Sequence, residues 1–72
     1  MKTKQVLACS VKDLRKGLGL SQEAFAGLCD IDRTYASQIE RAIANPSLEI
    51  LCDIAEVLGV SVSQLLDSSF RK

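Results

Sequence analysis

The chain has 72 residues, and nine lysines and arginines balance nine aspartates and glutamates, so that its formal net charge is zero. Hydrophobic residues make up 47% of it and charged residues 25%, which is typical of one small globular domain over residues 1–72. Histidine is absent from the sequence, which excludes histidine-based acid–base catalysis and histidine-containing metal sites. No apolar run approaches the roughly 18 residues that a membrane span needs.

The three cysteines, Cys9, Cys29 and Cys52, form no Cys-x-x-Cys motif, and their number is odd. The sequence therefore predicts neither a disulfide framework nor a metal site. We interpret them as three small apolar core residues in a reducing compartment, and the alternative is an exposed thiol that senses oxidants. The N-terminus resembles a lipoprotein signal ending at Cys9, but its apolar stretch is far shorter than the about 7–15 residues of a signal. We therefore expect a cytoplasmic protein.

Hydrophobic spacing and capping residues predict five helices with short connections, and therefore an all-α fold. The predicted helices cover about residues 6–17, 21–28, 32–41, 46–58 and 61–67. Ser21 and Asp32 are suited to cap the second and third helices, and Ser61 with Gln64 fits a capping box for the last one.

Glycine and proline fall where helices should end or begin. The run Gly17-Leu18-Gly19 ends the first predicted helix, and Gly59 ends the fourth. Either Asn45 or Ser47 caps the fourth helix, with Pro46 suited to its first turn.

The second and third predicted helices are short and are joined by a three-residue turn, which is the spacing of a helix-turn-helix over about residues 21–41. One side of the third helix is apolar, and the other carries donors and acceptors without a carboxylate. Those polar side chains are Arg33, Thr34, Ser37, Gln38 and Arg41. Arginine can pair with guanine and glutamine with adenine, and the threonine methyl can touch thymine. We expect the first four, named here the base-facing stripe, to contact DNA bases.

Three blocks of the sequence read LSQEAFA at residues 20–26, DRTYASQIER at residues 32–41 and NPSL at residues 45–48. Together they resemble the lambda-repressor/Cro-type (XRE) helix-turn-helix family, and weaker matches extend the resemblance to about residues 6–67. Within the family, DRTY followed by IER is most similar to the controller proteins of restriction–modification systems. The resemblance implies a compact five-helix DNA-binding domain whose third helix enters the major groove.

The resemblance also implies roles for single residues. Gln22 matches the family's phosphate-clamping glutamine, and the helix N-terminus there also favours phosphate. Asn45 lies where a family loop approaches phosphate. Tyr35 lies at the margin of the stripe, where it either touches the DNA backbone or is half-buried. Arg15 and Glu40 match a salt-bridged pair, for which the alternative is that Arg15 is a plain surface charge. The residues expected to contact the DNA backbone are Ser21, Gln22, Tyr35, Arg41 and Asn45.

Four residues depart from the family pattern. Asp30 stands where the turn usually has glycine, and it can adopt a positive φ only at some cost. Ala42 replaces a glycine, so the third helix is expected to run on or to end differently. Ala36 replaces a large aliphatic residue and predicts a smaller helix contact, and Ala44 stands where related controllers often have a basic residue.

The C-terminal end carries more apolar residues than a short last helix needs. We expect Leu65 and Leu66 to close the core and Val62 and Phe70 to form a dimer interface, whereas the alternative is that all of them close the core. A two-fold dimer would place two recognition helices about 34 Å apart, on successive major-groove turns of a roughly palindromic operator.

The sequence therefore predicts a DNA-binding regulator of transcription that acts as a homodimer on double-stranded DNA, without a cofactor, metal ion, membrane or small-molecule effector. Positive charge is concentrated in residues 1–20 and negative charge in residues 46–70, so we expect weak, strongly salt-dependent non-specific affinity. The alternative is a protein-interaction module of the same fold, such as an antitoxin or anti-repressor, which the neutral charge and Ala44 favour. An enzyme is not predicted, because Gly17-Leu18-Gly19 lacks the third glycine and the preceding strand of a phosphate-binding loop.

Overall fold

The computed structural model describes residues 2–67, and within that range the chain forms five helices and no strand. The helices are α1 (Lys2–Gly17), α2 (Gln22–Cys29), α3 (Arg33–Glu40), α4 (Leu48–Leu58) and α5 (Val62–Leu65). The predicted all-α, five-helix fold is therefore confirmed. That residues 1–72 make up one domain stays a prediction.

The first helix begins earlier than its predicted start at about residue 6. The structure places its first residue at Lys2. The buried side chains of Leu7 and Val11, one turn apart, hold the following turns against the core.

The fourth and fifth helices are shorter than predicted. The Ser47 hydroxyl accepts a hydrogen bond from the Ile50 amide at 3.3 Å, which makes Ser47 the N-cap. Pro46 therefore lies before α4, not in its first turn as predicted. At the other end, α5 stops at Leu65, and Leu66 follows its last turn.

Side-chain caps begin α2, α3 and α5 at the predicted residues. Ser21 Oγ accepts from the amide of Ala24 at 3.0 Å, and Asp32 Oδ2 accepts from the amide of Thr34 at 3.1 Å. The capping box between Ser61 and Gln64 is also present. Each cap satisfies an amide that the first helical turn leaves without a partner, and so fixes where the helix starts.

The ends of α2 and α3 share one hydrogen-bonding pattern, the Schellman motif, although neither has glycine at the left-handed position. Asp30 has φ 58° after α2, and Ala42 has φ 61° after α3. Beyond Ala42, the amide of Ile43 donates to the carbonyl of Gln38 at 2.9 Å. Ala42 therefore ends α3 where a glycine would, at the cost of backbone strain.

The core lies where the five helices meet. Each helix contributes one large apolar side chain that is fully buried, and these are Val11, Phe25, Ile39, Ile54 and Leu65. Burying one such side chain stabilises a fold by about 2 kcal/mol, so every helix is held by its own anchor. Ala26 and Ala36 are also buried, on α2 and α3, which pack against each other. None of the described helices is long and apolar enough to cross a membrane.

The C-terminal apolar residues divide differently from the prediction. Leu65 is fully buried, as expected, but Leu66 is 37% exposed because it lies just after the last helical turn. Val62 is half-buried and packs partly against the core. Phe70 lies outside the described residues.

The three cysteines are free thiols in two environments. Cys29 is buried, as expected of a core residue, but the same expectation is wrong for Cys9 and Cys52, which are exposed. Burial raises the pKa of the Cys29 thiol from 9.0 to about 11, and the negative charge of Asp53 adds to the shift. Because the thiolate is the reactive form, Cys29 is protected both by access and by its protonation.

We predict that Ala42→Gly stabilises the protein by about 1 kcal/mol, because glycine adopts the left-handed conformation without steric strain. Denaturant unfolding measures the change. Ala24→Gly makes the same chemical change at an exposed helical residue and should destabilise by about 1 kcal/mol. A loss of stability in both variants would contradict the strain assigned to Ala42.

We predict that the exposed thiols of Cys9 and Cys52 react quickly with a disulfide reagent at pH 8, and that the buried thiol of Cys29 reacts only on unfolding. Substituting Cys29→Ala should leave the fast amplitude unchanged. Three equally fast thiols in the folded protein would contradict this assignment.

The raised pKa of the Cys29 thiol also makes the stability of the fold depend on pH. The stability that this thiol contributes is fully present below pH 9, and it falls as the pH rises from 9 through about 11, because the unfolded state loses the Cys29 proton first.

Candidate nucleic-acid interface

The third helix is fixed on one side by the core. It packs against α1 and α2, and its side chains Ala36 and Ile39 are at most 1% exposed. The short turn between α2 and α3 is held by the amide of Ile31, which donates to the carbonyl of Ala26 at 3.0 Å. These contacts leave α3 little freedom to rotate about its axis.

The opposite side of α3 carries the base-facing stripe. Arg33 and Thr34 are exposed, and Ser37 and Gln38 are half-buried. Among the described residues, none of these four side chains forms a hydrogen bond with another protein group. Arg41, after the last turn of α3, is also exposed. The helix therefore presents free donors and acceptors on a rigid support, which is the arrangement that base edges in a groove require.

A buried ion pair ties α3 to α1. Arg15 Nε lies 2.6 Å from Glu40 Oε2, and Arg15 Nη2 lies 3.0 Å from Glu40 Oε1. The two side chains are 9% and 2% exposed. A bidentate pair of this kind fixes the relative direction of its two groups, so it sets the position of the C-terminal end of α3 on α1. Arg15 is therefore not a plain surface charge.

The same arginine reaches the loop before α2. Arg15 Nη1 donates to the carbonyl of Leu20 at 2.6 Å, next to the N-cap of α2. Gln22, the first residue of α2, is half-buried and donates from Nε2 to Glu40 Oε1 at 3.1 Å. One carboxylate thus connects the start of α2 with the end of α3. Sequence reasoning missed this contact, because no local pattern joins residues that lie 18 positions apart.

The other residues expected near the DNA backbone differ in their exposure and in their place in the fold. Ser21 and Asn45 are exposed, in the loops before α2 and α4. The Ser21 hydroxyl accepts a cap hydrogen bond, so its proton is still available for donation. Tyr35 is half-buried and packs against the core. Lysines at positions 12 and 16 add exposed positive charge on α1.

Comparison with known proteins identifies the class. The helix-turn-helix family model matches residues 11–65, which is more than half of the chain, and the chain therefore belongs to the helix-turn-helix family.

Individual relatives carry related names. A hypothetical transcription factor of Neisseria meningitidis is 43% identical over 61 residues, covering 85% of this chain and 58% of the relative. Control protein C.BamHI of Bacillus amyloliquefaciens is 48% identical over 48 residues, covering 67% and 59%. The crystal structure of the restriction-modification controller protein C.AhdI from Aeromonas hydrophila matches with a TM-score of 0.84 and 31% identity, over 90% of this chain and 98% of that one.

These matches confirm the family resemblance that the sequence indicates, including its similarity to controller proteins. The chain spans a little under three fifths of the length of the first two relatives, at 58% and 59%. The three relatives are named as a hypothetical transcription factor, a control protein and a controller protein, and none of the three is named as an enzyme.

We predict that Glu40→Ala destabilises the protein by about 3 kcal/mol or more, because it leaves the Arg15 guanidinium buried without its counter-charge. Thermal and denaturant unfolding measure the loss. Glu56→Ala removes an exposed glutamate on α4 and should change stability by less than about 0.5 kcal/mol. Equal midpoints for the two variants would show that the ion pair is exposed in solution.

Proposed function

We propose that this chain is a sequence-specific DNA-binding regulator of transcription whose α3 reads base edges in the major groove. The observation that carries the proposal is the base-facing stripe, whose side chains have no hydrogen-bond partner among residues 2–67 while the other side of α3 is packed. The similarity to a hypothetical transcription factor of Neisseria meningitidis and the helix-turn-helix family match support it. A cytoplasmic location is part of the proposal.

In this proposal, the side chains of the base-facing stripe contact the base edges. Arg33 is exposed at the first position of α3, where its planar fork can bind guanine through two hydrogen bonds. Gln38 can bind adenine in the same bidentate manner, and Thr34 offers a methyl group for thymine. The Ser37 hydroxyl can either donate a hydrogen bond to a base edge or accept one from it.

Backbone contacts position the helix in the groove. Gln22 and Ser21 lie at the N-terminus of α2, where amides without helical partners favour phosphate. Arg41 and Asn45 follow α3 and are exposed, and Tyr35 lies within α3 at the margin of the base-facing stripe. Because the chain has a net charge of zero, these few contacts must supply affinity that a basic domain obtains from general attraction.

The dimer completes the proposal. Two copies related by a two-fold axis would engage the two halves of a roughly palindromic operator, doubling the number of base contacts. The exposed side chain of Leu66, one turn after half-buried Val62, supports an apolar contact at the C-terminal end. Phe70 is part of the proposed interface on the sequence alone, because it lies outside the described residues. No small-molecule effector is part of the mechanism, so occupancy would follow protein concentration.

A second candidate is a protein-interaction module with little DNA binding. The acidic side chains that α4 exposes, Glu49, Asp53 and Glu56, favour it, because they would repel phosphate. The binding experiment below distinguishes the two functions.

Selection of bound duplexes from a random pool tests the proposal. We predict that the wild-type protein enriches a roughly palindromic site. Arg33→Ala should lower affinity for that site roughly 10- to 100-fold. Arg33→Lys keeps the charge but loses the fork, so it should relax the preference at one base in each half-site while retaining non-specific binding at low salt.

Failure to enrich any sequence would overturn DNA recognition and favour the interaction module. An enriched site without two-fold symmetry would overturn the dimer alone. An unchanged preference in Arg33→Lys would remove Arg33 from base readout.

A further inference from the structure

The side-chain amide of Gln22 donates one N–H to the protein, and its second N–H has no partner among the described residues. Its Nε2 donates to Glu40 Oε1 at 3.1 Å, and this oxygen also accepts from Arg15 Nη2 at 3.0 Å. The second carboxylate oxygen accepts from Arg15 Nε. Since Arg15 engages both oxygens, the carboxylate cannot rotate, and the acceptor offered to Gln22 has a fixed place.

From this geometry we infer that Glu40 is a positioning residue for DNA binding: held by Arg15, it orients the Gln22 amide toward a backbone phosphate without touching DNA itself. The inference rests on the proposed function.

A primary amide has two N–H donors that diverge from one nitrogen. One donor of Gln22 is used by Glu40, and the other has no partner among the described residues. Gln22 is also the first residue of α2, where backbone amides without helical acceptors favour an anion. A fixed first donor therefore places the second one at a site already suited to phosphate, and little side-chain freedom is lost on binding.

Charge favours the same arrangement. A carboxylate near a phosphate would normally repel it, but Glu40 is paired with Arg15 at contact distance, so the two form a neutral unit. Glu40 can thus serve as a hydrogen-bond acceptor next to the DNA backbone without a net repulsive charge.

A charge-neutral replacement tests the inference. Removing Glu40 alone leaves Arg15 unpaired, so both are replaced together in Arg15→Met/Glu40→Met, because apolar residues of similar volume commonly preserve a fold in place of a buried ion pair. Net charge is unchanged, and a thermal melt checks folding. The dissociation constant is measured on the duplex that the wild-type protein selects, with Gln22→Ala made in both backgrounds.

We expect Gln22→Ala to weaken binding about tenfold in the wild type, because a hydrogen bond to a charged group is lost. In the double-methionine background the same change should cost less than about threefold, since the amide there is no longer oriented. Base preference should be the same in all variants. Equal losses in the two backgrounds would overturn the inference.

Side-chain NMR of the free wild-type protein gives a second readout that needs no variant to fold. The Gln22 amide should be as ordered as the backbone, whereas Gln38, half-buried and without a partner among the described residues, is the mobile internal control. Equal mobility of the two amides would also overturn the inference. Failure of the proposed function is distinct, because it appears as a wild-type protein that selects no duplex.

Discussion

The buried ion pair between Arg15 and Glu40 is the interaction on which the arrangement of this small domain depends. It joins α1 to the end of α3, and through two further hydrogen bonds it reaches Leu20 and Gln22 at the start of α2. Removing two charges from water is costly, and a buried pair often adds little net stability over apolar residues. Its effect here is directional: it fixes how the start of α2 and the last turn of α3 lie relative to each other.

The short helices explain why such a constraint matters. α2 and α3 have eight residues each, and helices of that length have little stability of their own in water. Their position comes from one anchor each in the core, from the caps at Ser21 and Asp32, and from the ion pair. A polar stripe on an isolated short helix would sample many orientations, whereas a stripe on a helix tied at both ends presents its side chains in one register.

The sequence predicted most of the fold because most of its signals are local. A serine or aspartate cap acts within three residues, so the starts of α2, α3 and α5 could be read directly. The end of α3 was harder to predict, because Ala42 adopts a positive φ that alanine disfavours and that only the surrounding structure imposes. Exposure of Leu66 depended on where α5 ends, and the helix ends at Leu65, two residues before the predicted end at about residue 67.

The candidate site likewise contains features that the sequence predicted and one feature that it could not predict. Helical spacing alone placed the stripe opposite the buried face of α3, and the family resemblance paired Arg15 with Glu40. The hydrogen bond between Gln22 and Glu40 could not be predicted, since it depends on how two helices pack and on which rotamer each long side chain adopts.

An NMR titration of the protein with its selected duplex tests the central claim most directly. The account predicts that the largest chemical-shift changes fall on the base-facing stripe and on Gln22, and that the acidic face of α4 stays unperturbed. Changes confined to α4 or α5, with the stripe unaffected by saturating duplex, would contradict it.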